Sequence, residues 1–95
     1  MGIYRLTQEA KADLKRIYMR GFIEYGEAQA DKYYNNFFEH FEQLAEQPLL
    51  YQAVDFIRPG YRRSVCGVDS VYYRVNGETV EIISIIGHQD IEEWL

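Results

Sequence analysis

RPGYRRSVCGVDSVYYRVNGETVEIISIIGH, residues 58–88, decides the fold. At its centre Asn76-Gly77 is a strong two-residue signal for a type I′ hairpin turn, because both central positions need positive φ and Asn and Gly tolerate it best. A turn there sets Val75 opposite Glu78, Tyr73 opposite Val80 and Val71 opposite Ile82, which places one apolar ladder on a single face of the sheet. The run from Val80 to Ile86 is apolar on both faces. That pattern is expected of a central strand covered on each side, or of one paired with a partner chain.

Upstream of the hairpin, Pro59-Gly60 signals a turn, Tyr61 to Cys66 alternates as a strand, and Gly67-Val68-Asp69 reverses the chain. At the other end of the sequence, Ile3 to Thr7 is a short β-like run closing on a Thr suited to cap a helix, with Glu9 favourably placed against the helix dipole. From Gln8 to about Tyr25 the positions Ala10, Leu14, Ile17 and Gly21 recur at three- and four-residue steps, an amphipathic helix. Its other face carries Lys11, Lys15, Arg16 and Arg20, readable as a solvated face or as a docking surface for an acidic partner. Gly26 breaks the pattern, and a second helix from about Glu27 to Glu46 aligns Ala30, Tyr34, Phe37, Phe41 and Leu44 as a core seam. Pro48 ends it. Leu49 to Ile57 has no clean period and reads as a loop packed over the core. Asp90 to Leu95 reads as one helical turn.

The order is β-α-α-β-β-β: an α+β domain spanning residues 1–95, with a helical hairpin packed on one face of an antiparallel sheet. The opposite face then needs the C-terminal tail or another protein to cover it.

Composition narrows the function. Fifteen acidic residues against ten basic ones give a net charge of −5, which offers no general pull on nucleic acid. Nine Tyr and five Phe in 95 residues suit surfaces that are covered part of the time. One Cys excludes an internal disulfide, and no secretory signal is evident, so a reducing cytoplasm is expected. No apolar run approaches the roughly 20 residues that span a bilayer. Met1-Gly2 lacks the Ser or Thr that myristoylation wants, since Leu6 stands there. One Cys and two His are too few and wrongly spaced for zinc, and no cofactor motif is present. One constellation could carry catalysis: Glu46, Arg62, Arg63 and His88, an acid/base pair with guanidinium groups able to activate a ribose 2′-hydroxyl and stabilise a pentavalent phosphate.

Tyr4-Arg5-Leu6-Thr7, Ala10, Asp13-Leu14, Ile17, Tyr25-Gly26, Gln29-Ala30 and Tyr33, followed by Ile57 to Arg63, Tyr72-Tyr73-Arg74-Val75, Val80-Glu81-Ile82 and Ile85 to Asp90, together resemble the ParE toxins of bacterial toxin–antitoxin operons, within the RelE/ParE superfamily. The likeness covers nearly the whole chain. It implies a helical hairpin against an antiparallel sheet, and a non-enzymatic type II toxin that inhibits DNA gyrase and is neutralised by a ParD-like antitoxin in a hetero-oligomer. The alternative is the activity of RelE-like relatives, ribosome-dependent mRNA cleavage, by Glu46, Arg62, Arg63 and His88. Those relatives are typically strongly basic, so the acidic balance here favours a protein target. Many ParE toxins carry His at the positions of Asp69 and Gly87, where this chain instead has His88 adjacent. A third possibility is a toxin-fold module that binds only its antitoxin. For antitoxin contact the candidates are Leu14, Tyr18, Phe22, Tyr51 and Phe56, with Arg62, Arg63 and Arg74 pairing with the antitoxin's acids. Trp94 and Leu95 are the candidates for target contact.

Overall fold

A computed structural model describes residues 2–87. Two helices pack on a five-stranded mixed sheet. The elements are β1 (Ile3–Leu6), α1 (Gln8–Tyr25), α2 (Glu27–Glu46), β2 (Gln52–Ala53), β3 (Tyr61–Cys66), β4 (Asp69–Asn76) and β5 (Thr79–Gly87), in the sheet order β1-β5-β4-β3-β2. The helical turn expected at Asp90 to Leu95 lies outside the described residues.

The expected meander is present as β3-β4-β5, but the sheet is not purely antiparallel. β1 runs parallel to β5, pairing Ile3 to Leu6 with Thr79 to Ile82. Between these two strands the chain passes through the helical hairpin and then β2, β3 and β4, the long connection that parallel neighbours require. β5 is therefore central, flanked by β1 and β4, and Glu81, Ile82, Ser84 and Ile85 are all buried, as its two-faced apolarity demands.

The hairpin turn sits one residue later than the Asn-Gly signal places it. Asn76 pairs with Thr79, leaving Gly77 and Glu78 as the loop. Only Gly77 (φ 64°) takes positive φ there, because Asn76 stays in the strand; this is the sign pattern of a type II′ turn rather than I′. Val75 consequently faces Val80, Tyr73 faces Ile82 and, across a bulge at Ile83, Val71 faces Ile85. Near the turn the pairing has slipped by two positions, which preserves the side-chain period. The same apolar residues reach the same face although their partners change.

Helix α1 begins at Thr7, whose Oγ1 accepts from the Ala10 N–H at 3.1 Å and donates to the Ile83 carbonyl at 2.8 Å. It ends at Gly26 (φ 90°), which donates to the Phe22 carbonyl and is the whole connection to α2. Ala10, Leu14 and Ile17 from α1 meet Phe37, Phe41 and Leu44 from α2 over Val71, Tyr73, Val80, Ile82 and Ile85 of the sheet. Tyr34, expected on the seam, is only half-buried.

Beyond the reach of β1, polar side chains of α1 occupy the edge of β5. Asp13 Oδ2 accepts the Ile85 N–H at 2.9 Å, and Arg16 donates to the Ile85 carbonyl at 3.3 Å. The far edge is different. The segment expected to be a loop from Leu49 to Ile57 contains β2, two residues that pair only with Arg62 and Arg63, so among the described residues no strand continues the sheet alongside Ser64 to Cys66. Val54 is that segment's buried anchor, whereas Leu49, Leu50 and Phe56 are exposed.

Gly67 (φ 62°) turns β3 into β4, and a Cβ there would stand 2.5 Å from the Tyr33 ring. Gly77 has the same handedness with nothing within 4 Å. Gly77→Ala is expected to cost about 1–2 kcal/mol from backbone handedness alone, and Gly67→Ala to cost more. Urea unfolding of both variants measures the difference, which isolates the clash with Tyr33.

Candidate partner-binding groove

A hollow of about 930 Å³ opens at the connected end of the helical hairpin. Ile17, Tyr18, Gly21 and Tyr25 of α1, Ala30, Tyr33 and Tyr34 of α2, and Val68 of the β3–β4 turn line it, with Arg20, Glu24 and Gln29 at its rim. It exists because the helices meet there through small residues: a Cβ on Gly21 would lie 3.7 Å from the Ala30 Cβ. Aromatic rings surround the gap. Tyr18 stands edge-on to Tyr34 at 5.5 Å between centroids, and Tyr33 stands edge-on to Phe37 at 5.0 Å. Phe22 (45% exposed), Tyr25 (72%) and Val68 (73%) bring further apolar surface to its surroundings.

Tyr33 ties the groove to the sheet. Its hydroxyl lies 2.8 Å from Asp69 Oδ2 and 3.0 Å from the Cys66 carbonyl, both acceptors for its one hydrogen, and it accepts from the Val68 N–H at 3.2 Å. Asp69 is buried, and its other oxygen lies 3.8 Å from Arg20. Burial and the neighbouring carboxylate push the Tyr33 phenol above its ordinary range, and the hydrogen bond to Asp31 raises that of Tyr18. Both tyrosines are neutral hydroxyls near pH 7. The groove thus offers aromatic surface, hydroxyls and one cation at its rim, a set suited to holding apolar side chains of a protein.

The residues singled out from sequence are scattered. Tyr18 lines the groove and Phe22 lies beside it, but Leu14 is 3% exposed and belongs to the core, so it presents no surface to a partner. Tyr51 packs against His40, and Phe56 is exposed on the segment before β3. Arg62 and Arg63 are consecutive on β3 and alternate to opposite faces of the sheet; Arg62 donates to the Tyr51 carbonyl at 2.8 Å. Arg74 shares Glu81 with Arg5, and these guanidinium groups, Arg74 first, hold the Glu81 carboxyl below its usual range. Glu46 is exposed on the last turn of α2. The structure therefore does not bring both arginines to one point with Glu46. His88, Trp94 and Leu95 lie outside the described residues. Among the described residues, no cluster of His, Cys, Asp and Glu could hold a metal ion.

Sequence reading missed the contributions of Tyr25, Tyr33 and Val68. Tyr33 stands outside the α2 seam and enters the sequence reading only through the family resemblance, and Val68 enters it only as part of the reversing turn. The available signal was the proximity in sequence of a large apolar residue to a turn glycine. It also missed His40, whose Nε2 lies 2.7 Å from the buried Ser64 Oγ. Cys66 is no nucleophile at neutral pH, since burial pushes its thiol up to about 11.

Comparison with known proteins places this architecture. The model of the ParE toxin of type II parDE toxin–antitoxin systems matches residues 4–92. The chain belongs to the ParE toxin family. It is 40% identical over 88 residues to Toxin ParE1 of Caulobacter vibrioides, covering 93% of this chain and 90% of that one. It is 32% identical over 90 residues to Toxin ParE1 of Mycobacterium tuberculosis, covering 94% and 91%. Among solved structures, the chromosomal ParDE system of P. aeruginosa includes a chain that superposes with a TM-score of 0.80 at 25% identity, covering 92% of this chain and 96% of that one. The conserved hypothetical protein HP0894 of Helicobacter pylori, at 10% identity and a TM-score of 0.50 over 96% and 99%, shares the fold. This ParE-family chain is thus the toxin component of a type II toxin–antitoxin system.

Two outcomes follow from the polar contacts. Tyr33→Phe removes the donor to a buried carboxylate and is expected to cost about 1–3 kcal/mol in chemical denaturation. Burial also lowers the His40 pKa from 6.5, so below that pH the unfolded chain binds a proton that the folded chain resists, and stability falls with pH. His40→Gln is expected to lose less stability than the unaltered protein when urea unfolding is compared at about pH 7.5 and 5.5, on either side of the ordinary His value.

Proposed function

We propose that this toxin acts in the cytoplasm by binding DNA gyrase and inhibiting it without catalysis, and that a ParD-like antitoxin neutralises it by laying an amphipathic helix into the groove of the helical hairpin. The observation that carries the reading is the nature of the groove in a chain of this family: an open, tyrosine-lined hollow with small residues at its base, shaped to take apolar side chains from a helix. Tyr18, Phe22 and Tyr25 are the antitoxin anchors in this reading. Arg63 and Arg74, whose side chains lie on the opposite face of the sheet, pair with acids of an extended segment that continues from the helix, while Tyr51, Phe56 and Arg62 flank its path.

The separation of Arg62 from Arg63 across the sheet weighs against the alternative, an mRNA endonuclease built on Glu46, Arg62, Arg63 and His88. A net charge of −5 weighs against it too, because a ribosome-directed nuclease approaches a polyanion.

Purified toxin is expected to inhibit supercoiling by gyrase, or to trap gyrase-cleaved DNA, while leaving translated mRNA uncut in primer extension. Cuts at ribosomal A sites with unimpaired gyrase would reverse the assignment, and growth unaffected by expression of the toxin alone would reduce the chain to an antitoxin-binding module. Tyr25→Ala is expected to weaken antitoxin binding by about thirtyfold, the effect of losing an interface anchor, as read by isothermal titration calorimetry. Deleting Trp94 and Leu95, proposed target contacts, is expected to raise the toxin concentration needed for inhibition.

A further inference from the structure

Helix α1 carries a second stripe, on the side away from the core. At 100° per residue, Lys11, Ala12, Lys15, Met19, Phe22 and Ile23 fall within one band, opposite the Ala10, Leu14 and Ile17 seam. The stripe is segregated along its length. Its N-terminal half presents two ammonium groups, and its C-terminal half presents Met19 at 50% exposure, Phe22 at 45% and Ile23 at 77%. Isolated exposed apolar residues are ordinary, but these three stand at i, i+3 and i+4 and so form one continuous patch. No acid of the described residues forms an ion pair with Lys11 or Lys15, whereas Arg16 is held by Asp13 and the Ile85 carbonyl, and Arg20 faces Asp69. Phe22 adjoins the groove, its ring 6.4 Å from that of Tyr18; Met19 and Ile23 lie away from the groove.

We propose that this stripe is a surface, beside the target contacts proposed above, by which the toxin grips its protein target, and that the target supplies an acidic amphipathic helix: apolar side chains seated on Met19, Phe22 and Ile23, and carboxylates one to two turns along, opposite Lys15 and Lys11. The proposal rests on the gyrase reading above. Charge complementarity selects the occupant, since two uncommitted cations in a protein of net charge −5 continue an apolar patch along one helix. A lipid surface fits less well. Membrane-binding helices flank an apolar face with lysines on both sides, whereas here the lysines precede the apolar patch along the axis, and an acidic protein is repelled by anionic headgroups.

The test uses the full chain, purified DNA gyrase and the Met19→Glu/Ile23→Glu double variant, with Lys11→Glu/Lys15→Glu beside it. Circular dichroism and antitoxin titration establish that each variant is folded and still bound by the antitoxin. The apolar-to-acid variant is expected to need about thirtyfold more toxin for half-inhibition of supercoiling, the loss typical of interface anchors. The charge-reversed variant is expected to lose inhibition chiefly at low salt, where the unaltered toxin gains most from its lysines. Inhibition by the apolar-to-acid variant equal to that of the unaltered toxin overturns the proposal. So does binding of the unaltered toxin to phosphatidylglycerol vesicles that this variant abolishes, or a dimer in sedimentation that it dissolves, because each gives the stripe another occupant. An unaltered toxin inert toward gyrase overturns the gyrase reading itself and this assignment with it.

Discussion

The backbone of Ile85 is clasped by one turn of helix: Asp13 accepts its N–H and Arg16 donates to its carbonyl, while the two side chains lie 3.6 Å apart as an ion pair. A buried strand cannot leave these groups unpaired without a cost of about 1–3 kcal/mol each, and β1 is too short to reach them. The clasp therefore fixes α1 along β5. With α1 placed, Gly26 fixes α2, because a one-residue connection leaves little freedom of angle. The groove between the helices and the orientation of the outer stripe both follow from that placement.

The parts of the fold governed by strong local periodicity were legible in the sequence. Both helices, the Gly26 break, the β3-β4-β5 meander and the central position of β5 follow from side-chain spacing alone. Asn76-Gly77 shows the limit of such signals: it marked the turn but missed its centre by one residue. The bulge at Ile83 was invisible because an apolar run has no phase to betray an extra residue. The parallel pairing of β1 was equally hidden, since four residues of β-like composition do not say which strand they join or in which direction.

The site was less legible than the fold. Leu14 and Tyr18 lie four residues apart on the same helix and look equivalent in a stripe, yet one is sealed in the core and the other lines a hollow. What separates them is Gly21 meeting Ala30, a tertiary fact. Arg62 and Arg63 look like a basic pair on paper, but strand alternation sends them to opposite sides of the sheet. The Tyr33–Asp69 contact joins residues 36 apart in sequence and depends on the absence of a side chain at Gly67, which gives it no local signature.

The unequal treatment of the two sheet borders bears on self-association. One border is β1, four residues that pair only with β5, beyond which the side chains of Thr7, Asp13 and Arg16 take over the edge of β5; the other is a two-residue strand that stops beside Val65. A long, flat border is a template on which strands of other molecules can add without limit, which is the geometry of a fibril. Borders of four and two residues offer few unpaired backbone groups to such an addition, a useful property in a protein that presents so much uncovered aromatic surface.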